Sequence, residues 1–196
     1  MFPVKEHNMK SMFALALTAL SLVAGAVDIN GVKVDEAAKV AGQDLVLDGG
    51  GVRYKFGFVK VYVGALYSVQ KSNSADAVIN DGHPRRISMT MLRHLPADKL
   101  HESLIEGLQE NSTEAELTAM QPKIKQLNSV FQSVKDVDTG DVILLDFLPG
   151  KGTQISVRGQ IKDVIAGDDF AKSLLKVWLG HKPVSADLKA AMLGAK

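Results

Sequence analysis

The spacing of apolar residues predicts β-strands in the first half of the chain. Residues 27–46 predict short strands, and a glycine run at 49–51 ends them in a turn. Residues 53–69 are rich in Val, Tyr and Phe, which predicts one long strand bent at its two glycines. In residues 85–95 apolar and polar side chains alternate, so this strand has one buried face, formed by Ile87, Met89 and Met91.

The period then changes to that of helices. Apolar residues from Leu100 to Leu108 recur three and four positions apart, after Asp98 as a candidate N-cap. A second helix is predicted from Thr113, where the sequence TEAE offers a capping box. Pro122 falls inside that helix, which predicts a kink or a split.

Strands return after residue 141 and two more helices close the chain. The strands are predicted in 141–165, the helices in 168–180 and after Ser185. This order of strands, helices, strands and helices differs from the βαβ alternation of parallel sheets. It predicts an α+β fold in which helices are layered on one face of a large antiparallel sheet.

The first 26 residues have the features of a Sec-type signal peptide. Basic residues Lys5 and Lys10 precede an apolar run over 12–24, and small residues follow at 24–26. Cleavage after Ala26 predicts one mature domain, residues 27–196, that is periplasmic or secreted. The run is shorter than the roughly 20 residues that span a membrane, and no later stretch is long enough. Met9 is an alternative start of translation.

Composition excludes several classes of protein. Without residues 1–26 the formal net charge falls from +1 to zero, so neither nucleic acid nor an anionic membrane is indicated as a partner. The chain has no cysteine, which excludes disulfides and zinc-thiolate sites. The histidines are scattered without metal-ligand spacing, and the glycines at 49–51 lack the helix and lysine of a phosphate loop. No metal or cofactor is therefore expected. Ser103 has no glycine elbow around it, so a hydrolase triad is not supported.

Three segments carry a resemblance to a known family. They are GGGVRYKFGFVKVYVGALY, LLDFLPGKGTQISVRGQ and LLKVWLGHKPVSADLKAAMLG, in that order along residues 27–196. The chain resembles the chalcone isomerase-like superfamily, in particular its bacterial exported members. The resemblance implies an open-faced β-sandwich, in which helices cover one face of a large antiparallel sheet.

The resemblance also implies a cleft between sheet and helices with an arginine at the start of the long strand. The matching residue in this chain is Arg53. In chalcone isomerases the arginine at this position stabilises a phenolate and the developing enolate. The other family positions hold different residue types. The strand threonine falls at or next to Tyr62, and the late hydroxyl at Val177. The helix phenol and amide fall at Lys99 and Glu106 or at Leu100 and Gly107. We therefore expect the fold without the plant activity.

A second branch of the superfamily binds fatty acids through the same arginine and a tyrosine hydroxyl. Arg53 and Tyr62 supply such a pair, which can hold a carboxylate at the end of an apolar channel. The expected channel residues are Val61, Val63, Met89, Met91, Val177 and Trp178. The ligand-binding residues are thus predicted to be Arg53, Tyr62, Val177 and Trp178.

Three functions stay open at this point. The first is a non-catalytic binder of a small amphipathic anion such as a fatty acid. The second is an isomerase or lyase acting on an unsaturated carbonyl compound, with Arg53 as anion stabiliser and Tyr62 as proton donor. The third is a structural or partner-binding domain whose cleft is filled by its own side chains, which predicts no cavity beside Arg53. An Arg53 paired with a carboxylate such as Asp48 would remove both ligand-binding functions.

Overall fold

A computed structural model describes residues 25–195, and the predicted signal peptide lies almost wholly outside these residues. The strands are β1 (Ala26–Ile29), β2 (Val32–Asp35), β3 (Ala37–Val40), β4 (Gln43–Lys55), β5 (Val59–Ser68), β6 (Arg85–Met91), β7 (Leu95–Pro96), β8 (Asp136–Val137), β9 (Val142–Leu148), β10 (Gly152–Val157) and β11 (Gln160–Ile165). The helices are α1 (Ala75–Asn80), α2 (Ala97–Glu110), α3 (Glu114–Val134), α4 (Asp168–Leu179) and α5 (Ala186–Met192).

One seven-stranded sheet organises the fold. Its strand order is β11-β10-β9-β6-β5-β4-β3, and every neighbouring pair is antiparallel. Two small two-stranded pairs, β1 with β2 and β7 with β8, lie beside it. The predicted large antiparallel sheet is confirmed.

The helices lie on one face of the sheet, as predicted. The main hydrophobic core joins Leu66, Ile87 and Met89 of the strands to buried residues of α2, α3, α4 and α5. A smaller cluster on the other face contains Val63, Ala65 and Tyr67 and is partly covered by the hairpin of β1 and β2. The sheet is therefore a two-sided layer whose helix-covered side holds most of the core.

The predicted long strand over residues 53–69 is a hairpin. The chain reverses at Phe56 (φ 55°) and Gly57 (φ 78°), so residues 43–55 form β4 and residues 59–68 form β5. The strand also continues through the glycines at 49–51 instead of ending there. High β-propensity on both sides of the turn hid the reversal, because propensity alone does not show the direction of the chain.

The glycines of β4 allow α5 to approach the sheet closely. A Cβ atom added to Gly49 would lie 2.1 Å from the backbone oxygen of Ala191, and one added to Gly51 would lie 2.8 Å from the Ala191 Cβ. Side chains at these positions would push α5 away from β4.

We expect Gly49→Ala to destabilise the fold by about 1–3 kcal/mol, because the added methyl group meets backbone that cannot move aside. Chemical denaturation measures the loss. Gly82→Ala is the control, since no atom lies within 4 Å of its added Cβ and its φ is not positive. Equal stabilities of the two variants would contradict the proposed close packing.

The helix ends follow the sequence in part. Thr113 caps α3 through the predicted capping box with Glu116, and Ser185 caps α5. α2 begins one residue before Asp98, with Pro96 at the N-cap position and no side-chain cap. α3 is one helix from Glu114 to Val134 with Pro122 inside it, so the predicted split is absent. The short helix α1 was not predicted.

No helix in residues 25–195 is long and apolar enough to cross a membrane. In the same part of the chain, no three His, Asp or Glu side chains are grouped so that they could hold a metal ion.

Candidate functional site

Arg53 lies near the end of β4 and is buried, with 8% of its surface exposed. Its Nη2 donates a hydrogen bond of 2.8 Å to Ser103 Oγ on α2. Its Cζ lies 5.6 Å from the centroid of the ring of Tyr62, its neighbour on β5. The Nε atom is buried and has no hydrogen-bond partner. The guanidinium thus retains an unused donor inside the protein.

No carboxylate balances Arg53 among residues 25–195, where all ion pairs involve other cations. Asp48 is engaged elsewhere: its carboxylate accepts from Ser68 Oγ at 2.7 Å and from the Ser72 N–H at 2.8 Å. Burial raises the pKa of Asp48, and these hydrogen bonds oppose the rise. A buried charge without an ion-pair partner is costly, so Arg53 is a candidate for binding an anion.

Tyr62 faces the helices. Its hydroxyl oxygen accepts a hydrogen bond of 2.9 Å from Nε1 of Trp178 on α4, and both side chains are buried. Burial raises the pKa of Tyr62, although the Arg53 charge and the Trp178 hydrogen bond act in the opposite direction. The phenol is therefore protonated at neutral pH. Its proton has no acceptor in the described part of the chain, which leaves it available to a ligand.

A small apolar cavity of about 20 Å³ lies among Arg53, Tyr62, Ser103 and Trp178. That volume holds about one water molecule. The remaining wall is formed by side chains of the sheet, α2, α3 and the segment before α5, namely Met89, Leu100, Leu104, Phe131, Ile143 and Val184.

An open pocket of about 220 Å³ lies on the outer side of the same arginine. Its wall is more polar, with Glu106, Glu110 and Lys182 on it. Arg53, Ser103 and Val184 contribute to both the inner cavity and this outer pocket. The guanidinium therefore lies at the boundary between the apolar interior and the surface.

Three of the four predicted ligand-binding residues come together at the inner cavity: Arg53, Tyr62 and Trp178. Val177 instead packs α4 onto α2, since a Cβ added to Gly107 would lie 2.7 Å from Val177 Cγ1. Among the other expected channel residues, Met89 lines the cavity, and Val61 and Met91 are part of the main core. Val63 lies in the cluster on the opposite face because it follows Tyr62 by one strand position.

Ser103 is the site residue that sequence reasoning missed. It occupies the same helix stripe as Leu100, Leu104 and Gly107, which are all buried. A hydroxyl in an otherwise apolar stripe was the available signal. Of the two positions that the resemblance allows for a helix phenol, Lys99 is exposed and bound to Glu102 at 2.9 Å, and Leu100 is buried beside the inner cavity.

A larger open groove is not lined by Arg53. It measures about 680 Å³ and is bounded by α1, α3 and α4. Its wall mixes acidic and basic side chains, among them Asp76, Glu116, Lys172 and Lys176. This mixture indicates no ligand class, so the boundary site at Arg53 is the better candidate.

We expect Tyr62→Phe to destabilise the protein by about 1–3 kcal/mol, because it leaves the buried Trp178 N–H without an acceptor. Urea denaturation followed by circular dichroism measures this loss. Tyr54→Phe is the control, because Tyr54 is 38% exposed. A Tyr62→Phe protein as stable as the control would show that the Trp178 hydrogen bond contributes nothing.

Comparisons with known proteins agree with the fold. A sequence profile described as chalcone isomerase-like matches residues 26–194. A solved structure of a fatty-acid binding protein from Arabidopsis thaliana aligns with a TM-score of 0.65 and 14% sequence identity, over 83% of this chain and 92% of the other. No curated protein sequence matches this chain. Since the profile spans nearly all of the described residues, the chain belongs to the chalcone isomerase-like family.

Proposed function

We propose that the protein binds an acid with an apolar tail, such as a fatty acid, without converting it. The observation that supports this proposal is the buried guanidinium of Arg53, which has no carboxylate partner in the described residues and borders an apolar cavity. A carboxylate there can accept charge-assisted hydrogen bonds from the free Nε and from Nη2. The unused Tyr62 proton supplies a further donor.

The two compartments beside Arg53 suggest how such a ligand lies. The carboxylate stays at the boundary, where Arg53 and Ser103 meet the outer pocket, and the tail extends into the apolar side. Ligand pockets measure about 300–1,000 Å³, far more than the 20 Å³ cavity. Binding therefore requires α2 to move outward or the side chains of Met89, Leu100 and Leu104 to change rotamer.

Turnover is not supported by the groups at the site. A chalcone isomerase-type reaction needs an anion stabiliser, a positioned water and a proton donor near the carbonyl oxygen. Arg53 and protonated Tyr62 fill two of these roles. No free polar group of residues 25–195 is left at the inner cavity to position the water. The remaining hydroxyl, Ser103, is bound to the arginine itself.

A second candidate is a structural or partner-binding domain whose cleft is filled by its own side chains. The small volume of the inner cavity favours it. The two candidates differ in one respect that can be measured: only the first predicts that an acid stabilises the protein.

Decanoic acid, with decan-1-ol as the uncharged control, tests the proposal. We expect the acid to raise the melting temperature progressively as its concentration exceeds the dissociation constant, because it binds the folded state alone. The alcohol should have a much smaller effect, since it cannot pair with Arg53. Native mass spectrometry should show one acid per chain.

Two outcomes would contradict acid binding. An equal shift with the acid and the alcohol would show that Arg53 does not recognise the carboxylate. Melting temperatures unchanged by either compound, with a native mass equal to that of the polypeptide, would favour the self-filled domain.

The location outside the cytoplasm is part of the same proposal. It rests on the apolar run over residues 12–24 that follows Lys5 and Lys10. Intact mass of the protein purified from cells should correspond to a chain that begins at Val27. A mass that includes residues 1–26 would contradict export by cleavage.

A further inference from the structure

The tip of the hairpin between β4 and β5 exposes large apolar side chains to solvent. Its sequence, residues 54–60, is YKFGFVK. Phe56 and Phe58 are each 77% exposed, the highest values among the large hydrophobic residues of the described chain, and Tyr54 is 38% exposed. Among residues 25–195, this short turn therefore carries two largely uncovered phenylalanine rings beside a partly exposed tyrosine.

The conformation of the tip does not explain these residues. Phe56 has φ 55°, a left-handed conformation that bulky side chains rarely adopt. Two-residue turns in the same chain place small or polar residues before glycine in this conformation, at Asn30-Gly31, Ala41-Gly42 and Arg158-Gly159. Neither turn geometry nor burial requires phenylalanine at position 56.

The tip is also positively charged. Lys55 and Lys60 flank the phenylalanines, and Lys55 Nζ lies 5.4 Å from the centroid of the Phe56 ring. Lys60 Nζ donates to Asn30 Oδ1 at 2.6 Å. The sequence contains no acidic residue between Asp48 and Asp76. Although residues 27–196 have zero net charge, all charged residues between Asp48 and Asp76 are basic.

From these observations we infer that the hairpin tip docks on an anionic lipid bilayer. Phenylalanine side chains partition into the boundary between headgroups and acyl chains, and lysines beside them pair with lipid phosphates. A protein partner fits less well, because stable protein interfaces bury at least about 1,000 Å² and this tip is a short turn. The inference goes beyond acid binding and stands independently of it.

The tip is close to the candidate site. Arg53 precedes Phe56 by three residues on β4, which corresponds to about 10 Å along an extended strand. Docking through the tip would therefore bring the outer pocket near the membrane surface.

Flotation of the proposed mature chain, residues 27–196, with vesicles tests the inference. The vesicles are phosphatidylglycerol with phosphatidylcholine in equal parts, and phosphatidylcholine alone. We expect binding to the anionic vesicles that weakens with salt. The double variant Phe56→Ser/Phe58→Ser should bind at least about tenfold more weakly. The transfer of one phenylalanine side chain out of water is by itself enough to change the affinity about tenfold.

The matched control is Ile161→Ser/Val164→Ser on β11. These residues are 63% and 40% exposed, so the control also removes two exposed apolar side chains. It should bind like the unmodified chain. All variants begin at Val27, so the basic and apolar residues 1–26 do not contribute to vesicle binding. Equal binding of the tip variant and the control would overturn the inference.

A fluorescent probe at the tip measures docking directly, without relying on the serine variants. Phe58→Trp places a fluorophore in the tip, while the native Trp178 is buried and gives a constant background. We expect its emission to shift to shorter wavelength with anionic vesicles and to be quenched by brominated lipids. Ile161→Trp should show neither effect. An unshifted Phe58→Trp spectrum, or tip-dependent self-association without vesicle binding, would overturn bilayer docking in favour of a protein partner.

Discussion

Arg53→Met is expected to abolish binding of decanoic acid and to leave the ligand-free protein as stable as the parent chain or more stable. Methionine occupies a similar volume and fits the apolar wall formed by Leu100, Leu104 and Phe131. The substitution removes a buried cation that has no anion, and replacing such a charge by an apolar side chain is neutral or stabilising. It also removes the donors that hold the carboxylate, so the dissociation constant should rise by about 100-fold or more.

Isothermal titration with decanoic acid and urea denaturation without it measure the two effects. Arg85→Met is the matched control, because Arg85 is buried to a similar extent, at 4% exposed. Arg85 donates to backbone carbonyls at the end of α1, including Val78 O at 2.9 Å. Its loss leaves buried acceptors unpaired, which should destabilise the protein by about 1–3 kcal/mol.

The comparison separates a ligand-binding arginine from a structural one. If Arg53→Met and Arg85→Met lose the same stability, the role of Arg53 is to hold Ser103 and α2 in place. If Arg53→Met retains full affinity for the acid, the carboxylate binds elsewhere.

Trp178→Ala should have the largest effect on stability, a loss of about 3–5 kcal/mol. Trp178 is 1% exposed and is among the largest fully buried side chains of the described residues. Its removal empties space next to the inner cavity and deprives Tyr62 of its hydrogen-bond donor. Denaturation midpoints in urea measure the loss.

Two further substitutions define the origin of this effect. Trp178→Phe keeps most of the ring and should cost much less than Trp178→Ala. Phe56→Ala removes an aromatic ring that is 77% exposed and should change stability by less than about 0.5 kcal/mol. A Trp178→Ala protein as stable as Phe56→Ala would show that the helix layer does not depend on the Tyr62–Trp178 contact.

Most of the architecture could be predicted from local patterns. Alternation in residues 85–91 correctly identified the buried face of β6, and helical spacing correctly identified α2, α3, α4 and α5. The hairpin at Phe56 could not be found in this way. The strands on both sides share one composition, and the usual turn residue before glycine is replaced by phenylalanine.

The site could be predicted only in part because it joins distant elements. Arg53 and Tyr62 are neighbours because β4 pairs with β5. Tyr62 lies on the helix-covered face of the sheet only in the observed register, since a shift of one residue would turn it to the other face. Ser103 reaches Arg53 across 50 positions of sequence, a contact that no local pattern contains. The volume of the cavity depends on rotamers of side chains from the sheet and three helices, which composition does not determine.

The strand order also bears on how the chain folds. Every neighbouring pair in the seven-stranded sheet is consecutive in the sequence except β6 with β9, which are separated by α2 and α3. During synthesis β6 has no partner on that side until residue 148 has been made. An unpaired edge strand invites aggregation, and charged side chains on it oppose that. Arg86 provides such a charge on β6, and Asp146 of β9 neutralises it at 2.6 Å once the correct strand arrives. Arg86 thus places a charge on the open edge of β6 before β9 pairs with it, and Asp146 neutralises that charge in the register of the finished sheet.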